Sequence, residues 1–139
     1  MQLTTPLLPL RRLSQELGVD LWVKRDDLFG MTGGGNKARK IGYIARVVES
    51  QGADAVVTTG GLQSNHARAV ALTAAEHGWK CRLVLHGDEG ELNHPRGNLL
   101  IMCLAGADIV VVPADRIGAA MRDSMHGFVS QGLKPCEIP

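Results

Sequence analysis

Two glycine-rich turns contain the side chains best suited to catalysis or ligand binding. The first, Gly33–Lys40, is a run of three glycines and Asn36 followed by three cations, Lys37, Arg39 and Lys40. Cations are unfavourable at a helix start, where the macrodipole is positive, so we expect an anion nearby. The same charges favour the neutral amine of Lys37, which could attack a carbonyl group to form a Schiff base. The alternative is a solvated lysine on an exposed first turn.

Two nucleotide-binding motifs compete for this turn. A phosphate-binding P-loop needs Gly-Lys-Ser/Thr, but Asn36 separates Gly35 from Lys37 and Ala38 follows, which excludes that motif. The dinucleotide pattern G-x-G-x-x-A is present at Gly33, Gly35 and Ala38. It is the less favoured alternative, because the preceding apolar run ends too early for a tight strand-to-helix turn.

The second turn is Thr58–His66. Its two glycines allow a ligand to approach the backbone, Ser64 or Asn65 can cap the next helix, and the free N–H groups can seat a carboxylate. The alternative is a capped helix after a glycine turn, with His66 as an ordinary surface or core histidine. No His, Cys or acidic residue stands at metal-ligand spacing with His66, so we predict no metal site.

Regularly spaced glycines predict the elements that position these turns. Four of them, spaced by 26, 28 and 26 residues, each end a helical pattern before a short apolar run: Gly52, Gly78, Gly106 and Gly132. The runs are Ala55–Val57, Cys81–Leu85, Ile109–Val112 and Pro135–Ile138. Such alternation is typical of parallel βαβ units, with helices expected at 36–51 and 65–77. We predict an α/β fold with a three-layer open parallel sheet of about four strands and helices on both faces.

The first 35 residues do not follow this repeat. Thr5–Gly18 is expected to form a loop and a short helix, and Leu21–Arg25 a strand, so residues 1–35 are predicted to be an N-terminal arm on an α/β domain at 36–139. The length of 139 residues suits one compact core.

The composition limits the possible partners and compartment. A net charge of +1 provides no long-range field to gather nucleic acid or an anionic membrane, and no stretch approaches the ~20 apolar residues of a membrane helix. The three cysteines, Cys81, Cys103 and Cys136, fit neither a disulfide framework nor a clustered zinc site. We expect a cytoplasmic protein that binds neither nucleic acid nor membranes.

Several motifs, in order along the chain, resemble the D-cysteine desulfhydrase and 1-aminocyclopropane-1-carboxylate deaminase family of pyridoxal-phosphate enzymes. They are Thr5-Pro6-Leu7, Val23–Asp27, Gly34–Lys40, Gly60–Arg68, and Gly97–Leu100 followed by Gly106–Asp108. The resemblance spans practically the whole chain. It implies the small domain of a tryptophan synthase beta-like fold.

The resemblance also assigns roles to residues of both turns. It implies that Lys37 holds pyridoxal 5'-phosphate as an internal aldimine and later moves the proton on the substrate's α-carbon. Asn65 is the expected hydrogen-bond partner of the cofactor's ring hydroxyl. Ser64, with the backbone around Gln63 to His66, is expected to bind the carboxylate of a small amino-acid substrate. Asp26-Asp27 and His66 are more similar to the desulfhydrase branch.

The resemblance further predicts a truncated relative, because the family's enzymes are more than twice as long. The part that grips the cofactor phosphate is then absent, and we expect weak or no catalysis by the chain alone. The alternative is a non-catalytic ligand-binding or oligomerising module. The arm's apolar residues would lose their cover, which predicts a homo-oligomer formed through the arm: Leu7, Leu8, Leu10, Leu13, Leu17 and Trp22.

Overall fold

The structure, a computed structural model, describes residues 4–28 and 35–139. Its helices and strands are, in chain order, β1 (Leu7–Pro9), α1 (Arg11–Leu17), β2 (Trp22–Lys24), α2 (Gly35–Ser50), β3 (Ala55–Gly61), α3 (Asn65–His77), β4 (Lys80–His86), α4 (Gly97–Leu104), β5 (Asp108–Val111), α5 (Ile117–Ser130) and β6 (Pro135–Glu137). Short 3₁₀ turns occupy Asp26–Leu28, Glu89–Asn93 and Ala114–Arg116. Gly33 and Gly34 of the first glycine turn lie outside the described residues.

Four parallel strands form the sheet, in the order β5-β4-β3-β6. Successive side chains of a strand point to opposite faces, so neighbouring apolar residues join different layers. Val56 packs with the buried residues of α2, α3 and α4 on one face. Val57 packs with Met121 and Phe128 of α5 on the other. The predicted three-layer sheet of about four strands is therefore confirmed.

The helix ends and strand lengths follow the sequence pattern closely. All four regularly spaced glycines have positive φ, between 63° and 79°, as expected of residues that end a helix in the left-handed conformation. The main difference is in β3, which continues four residues beyond the predicted Val57 to Gly61. Thr58–Gly61 pairs in parallel register with Leu83–His86 of β4, so cross-strand pairing extends the strand through two glycines, which have weak β propensity.

The topology brings the two turns to one edge of the sheet. In a parallel sheet all carboxyl ends lie at the same edge, and ligands bind there at the point where the strand order reverses. That point lies beside β3, since the chain proceeds from β3 outward to β4 and β5 and returns to β6 on the other side. The β3–α3 turn and the start of α2 both lie at this edge.

In its described residues, 4–28, the N-terminal arm has a hydrogen-bonded backbone and no fully buried apolar side chain. Its strands β1 and β2 pair antiparallel, with Leu7 opposite Lys24, and Ser14 accepts a hydrogen bond from the N–H of Leu21 at 3.0 Å. The six apolar side chains predicted to lack cover are all exposed, from 37% for Leu10 to 58% for Leu17. The arm's geometry is therefore set by local hydrogen bonds rather than by burial.

Candidate functional site

The N-terminal turns of α2 and α3 meet beside the carboxyl end of β3. Lys37 and Lys40 are both exposed on the first turn and a half of α2. The Lys40 Nζ donates a hydrogen bond of 3.1 Å to the main-chain oxygen of Pro139, just beyond β6. Burial first, and then the charges of Lys40 and Lys37, lower the pKa of His66 on α3. The cations of α2 therefore lie within electrostatic reach of the second turn.

His66 is held by a hydrogen-bond chain that fixes its tautomer. The Thr58 hydroxyl donates its single hydrogen to the carbonyl oxygen of Ile138 at 2.7 Å, because a carbonyl can only accept. The Nε2 of His66 lies 3.0 Å from the same hydroxyl oxygen and must therefore donate to it. With its pKa lowered, His66 is a neutral ring that carries hydrogen on Nε2 and keeps Nδ1 as an acceptor.

Ser64 caps α3 and leaves anion-binding amides free. Its Oγ accepts a hydrogen bond of 3.1 Å from the N–H of Ala67, and the helical ladder begins with the N–H of Arg68. Within the part of the chain that the structure describes, the N–H groups of Asn65 and His66 have no protein acceptor. These two amides, at the positive end of a 13-residue helix, form a seat for a carboxylate or another anion.

Gly60 allows the turn to fold this tightly. A Cβ built on Gly60 would lie 2.7 Å from the Oγ of Ser64 and 2.8 Å from its Cβ, which is closer than two such atoms can approach. The glycine at this position is therefore required by the approach of the capping serine. Ser64 is half-buried and lies directly beside the end of β3.

Asn65 is exposed, and its amide orientation is set by Asn98 at the start of α4. The Nδ2 of Asn98 donates to the backbone oxygen of Gln63 at 2.8 Å and to the Oδ1 of Asn65 at 3.1 Å. Because the oxygen of the Asn65 amide faces Asn98, its nitrogen faces away. Asn65 therefore presents two N–H donors outward from the turn.

The side chain of Gln63 is engaged at both ends by α4. Its Oε1 accepts from the N–H of Asn98 at 3.0 Å, and its Nε2 donates to the carbonyl oxygen of Arg96 at 3.2 Å. Gln63 caps α4 from another element, where the preceding Arg96 makes no side-chain cap. A substrate contact by Gln63, predicted from the resemblance, would then involve its backbone rather than its amide.

The structure thus brings Lys37, Ser64, Asn65 and His66 to one edge and turns the Gln63 side chain away. The combined arrangement offers an amine, outward amide donors, a helix N-terminus and excess positive charge, which suits a ligand that carries both a carbonyl group and anionic oxygens. Residues 4–28 and 35–139 contain no group of three or more His, Cys, Asp or Glu side chains placed to hold a metal ion. No helix in these ranges has the length and apolarity to cross a membrane.

Sequence reasoning missed Thr58 and Asn98, which fix the orientations of His66 and Asn65. Thr58 is fully buried at the end of an apolar run, and a buried threonine there signals a hydrogen-bonding role. Asn98 was visible only as part of the Gly97–Leu100 motif. Its contact with Asn65 joins residues 33 positions apart, which local patterns do not reveal.

Comparison with known proteins gives consistent matches. A family model described as "Pyridoxal-phosphate dependent enzyme" matches residues 2–131. The 1-aminocyclopropane-1-carboxylate deaminase of Methylobacterium sp. (strain 4-46) is 41% identical over 145 residues, which cover 97% of this chain and 43% of that protein. A Thermotoga maritima protein provisionally given the same name is 48% identical over 108 residues, 78% of this chain and 34% of its own length.

A solved structure described as an "ACC deaminase homologue" superposes with a TM-score of 0.81 at 36% identity, covering 98% of this chain and 42% of that one. The chain therefore spans about a third to two-fifths of the length of the relatives that it matches.

Proposed function

Because the chain belongs to the family of pyridoxal-phosphate-dependent enzymes, we propose that Lys37 and the turn at 63–66 form one side of a site for pyridoxal 5'-phosphate and a small amino acid. The observation that carries this proposal is the convergence of α2 and α3. The charges of Lys37 and Lys40 at the start of α2 reach His66, whose N–H and that of Asn65 are uncapped at the start of α3. A ligand that carries both an aldehyde and an anionic group can react with the amine and bind its anionic oxygens at the free amides.

The residues present fit this group. The outward N–H donors of Asn65 suit its ring oxygen, and the free amides at the start of α3 suit a substrate carboxylate. When bound, pyridoxal phosphate supplies an aldehyde that condenses with amines and a ring that takes up an electron pair. The chain's own contribution is to orient these groups and to hold a proton on Lys37 near the substrate's α-carbon.

Ser64 and His66 divide the remaining tasks. Ser64 holds the amides of α3 in place by capping the helix, and its hydroxyl is close to the same anion seat. His66 is kept neutral by burial and by Lys40 and Lys37, so it adds an acceptor at Nδ1 without adding another positive charge. As an acceptor, Nδ1 suits the ammonium group of a small amino acid, whereas the two cations suit its carboxylate.

The substrate that we favour is 1-aminocyclopropane-1-carboxylate, which appears in the names of the matched relatives. Ring opening of this compound gives 2-oxobutyrate and ammonia. D-cysteine is the second candidate, because Asp26-Asp27 and His66 are more similar to the desulfhydrase branch. Loss of its β-thiol gives pyruvate, sulfide and ammonia. Both reactions release ammonia, so assays for 2-oxobutyrate and for sulfide separate the two substrates.

The first experiment is a visible spectrum of the 139-residue chain with added pyridoxal phosphate. We expect an absorbance band that Lys37→Ala abolishes and that Lys80→Ala preserves, since Lys80 is an exposed lysine at the opposite edge of the sheet. Binding is expected to be weak, because the proposed residues form only one side of the site and each charge-assisted hydrogen bond to the cofactor is worth about 1.5 to 3 kcal/mol. Identical featureless spectra would favour the alternative of a non-catalytic binding or oligomerising module.

We also propose that residues 36–139 act as the small α/β domain and that residues 1–35, as an arm, pack on another chain. Along α1 an apolar groove of about 410 Å³ is lined by Leu10, Arg11, Arg12, Leu13 and Glu16. Exposed apolar patches of this kind favour association, and we propose a homo-oligomer in which a second copy covers the groove.

Light scattering tests the oligomer across micromolar concentrations. Replacement of Leu13 and Leu17 by lysine is expected to yield a monomer. Leu104→Lys, at an exposed leucine on α4, is the matched control and should leave the oligomer intact. A monomeric unaltered chain would overturn this part of the proposal.

We propose a cytoplasmic location on the basis of the thiols. All three cysteines are free, which suits a reducing compartment. Fractionation of cells that express the chain tests this, and recovery in a membrane or secreted fraction would contradict it.

A further inference from the structure

We infer that Asn98 is a positioning residue for ligand binding: it holds the amide of Asn65 with the oxygen toward α4 and the N–H groups toward the ligand. This inference rests on the proposed function, because the ligand in question is pyridoxal phosphate. Asn98 lies on α4, whereas Lys37 lies on α2 and the turn at 63–66 leads into α3.

The orientation of the Asn98 amide is fixed from two sides. Its Oδ1 accepts from the NH1 of Arg68 at 3.1 Å, and a guanidinium can only donate. Its Nδ2 donates to the backbone oxygen of Gln63 at 2.8 Å, and a carbonyl can only accept. Rotating the amide by 180° would place donor against donor and acceptor against acceptor, so only one orientation is compatible with both partners.

This orientation is passed on to Asn65. The same Nδ2 of Asn98 faces Asn65 at 3.1 Å and can only donate, so the atom it meets must be the oxygen of Asn65. The chain of donors runs in one direction, from Arg68 through Asn98 to Asn65. Such chains polarise successive groups, and the charge of Arg68 at the far end makes the outward N–H of Asn65 a stronger donor.

The start of α4 is built to keep Asn98 in place. Gly97 has a φ of +55°, and a Cβ there would lie 2.7 Å from the Oε1 of Gln63. A glycine therefore lets α4 approach the turn closely enough for Gln63 to cap the N–H of Asn98. Without that approach, the side chains of Asn98 and Asn65 would not meet.

The test compares two ligands on one variant. Asn98→Asp keeps the shape of the side chain and its contact with Arg68, and an acidic residue is favourable at a helix start. It replaces the donor that faces both the backbone oxygen of Gln63 and the Oδ1 of Asn65 by an acceptor, so the Asn65 amide is expected to rotate and to present its oxygen to the ligand. Asn98→Ala removes the same donor without setting an acceptor against the Gln63 carbonyl. The two probes are pyridoxal 5'-phosphate and its 3-deoxy analogue, which lacks the ring hydroxyl.

We expect Asn98→Asp to weaken binding of pyridoxal phosphate roughly tenfold to a hundredfold, measured as a dissociation constant by fluorescence titration. Binding of the 3-deoxy analogue should change less than about threefold, because the ring oxygen that Asn65 meets is missing. Asn93→Asp, the same substitution at an exposed position in a 3₁₀ turn, should leave both constants unchanged. Asn98→Ala serves as a second variant and should also spare the analogue.

The outcomes distinguish this inference from the proposed function. Equal losses for both ligands would show a structural role for Asn98 and overturn the inference, while the Lys37-dependent band of the unaltered chain would remain. Unchanged binding of both ligands by a folded Asn98→Asp variant, checked by circular dichroism, would overturn it as well. Absence of the Lys37-dependent band in the unaltered chain would overturn the proposed function and this inference together.

Discussion

The N-terminal arm and the parallel sheet both consist of strands and helices, yet they are stabilised differently. In the sheet, hydrogen-bonded strands also bury their side chains, and Val56, Leu83 and Val84 are fully excluded from solvent. In the arm, β1 and β2 are paired as regularly, but Leu13 and Leu17 remain about half exposed. Backbone pairing gives each region its shape, whereas the sheet gains far more free energy from apolar burial than the arm does.

The comparison also separates structure from function. The sheet's carboxyl edge holds its polar residues in fixed hydrogen bonds, such as that between Thr58 and Ile138. The arm's polar contacts are local, as between Arg25 and Asp27, whose mutual hydrogen bond lowers the pKa of the exposed carboxyl. Changes in the sheet should therefore affect both stability and ligand binding, and changes in the arm mainly association.

Truncation of a leucine should show the largest difference between the two regions. Leu83→Ala removes a fully buried side chain from the centre of β4 and is expected to reduce the free energy of unfolding by about 2 to 5 kcal/mol. Leu13→Ala, in the arm, is expected to change it by less than about 0.5 kcal/mol, because Leu13 is 43% exposed. Urea denaturation followed by circular dichroism measures both. Similar losses at the two positions would mean that the arm contributes to the same core.

Replacing a glycine by alanine should distinguish the two regions less by stability than the leucine truncations do, but clearly by ligand binding. Gly60→Ala forces the new Cβ against Ser64 and is expected to cost about 1 to 3 kcal/mol and to weaken pyridoxal phosphate binding as the serine shifts. Gly18→Ala in the arm meets open space, and its cost, about 1 to 2 kcal/mol, comes from the left-handed φ of +67° alone. The Gly18→Ala variant should bind pyridoxal phosphate as tightly as the unaltered chain. Equal binding of pyridoxal phosphate by both variants would contradict the conclusion that the close approach of Ser64 to Gly60 matters for the site.

The smallest effect expected is a pH dependence that comes from the sheet edge. Burial, with help from Lys40 and Lys37, lowers the pKa of His66 from its ordinary 6.5 in the folded chain. The unfolded chain thus binds a proton at pH values where the folded chain does not. The contribution of His66 is complete above about pH 6.5 and is lost as the pH falls through the lower folded-state pKa, with a slope of at most about 1.4 kcal/mol per pH unit.

Denaturation curves between pH 8 and pH 5 test this in the unaltered chain and two variants. His66→Gln should flatten the decline while retaining a side chain that can donate to Thr58. His126→Gln, at an exposed histidine of α5, should follow the unaltered chain. A decline that persists in His66→Gln would assign the pH dependence to another group.

Much of the fold could be predicted from the sequence, because its periodic signals are local. The regular glycines mark helix ends within one or two residues, and α3 begins and ends at the predicted Asn65 and His77. The extension of β3 to Gly61 was missed, since the two glycines at its end are weak strand formers that pairing with β4 holds in the strand. Local propensity contains no information about a partner strand.

The candidate site could be predicted only as a set of residue types. Ser64, Asn65 and His66 were found because they are adjacent in one turn. The partners that orient them lie far along the chain, as Ile138 does 80 residues beyond Thr58 and Asn98 does 33 beyond Asn65. Their directions of donation follow from three-dimensional contacts. The sequence can thus name a donor, but it cannot say which way the donor points.

The strand order has a consequence for how the chain acquires its shape during synthesis. β3 must wait for β6, whose residue Pro135 pairs with Ala55, before its second edge is covered. At roughly 5 to 20 residues per second, a ribosome needs several seconds to deliver those 80 intervening residues. Until then, the unpaired edge of β3 can form hydrogen bonds with a strand of another chain. Because Ile138 lies 80 residues beyond Thr58, the hydrogen bond between them, which orients His66, forms only after β6 has joined the sheet.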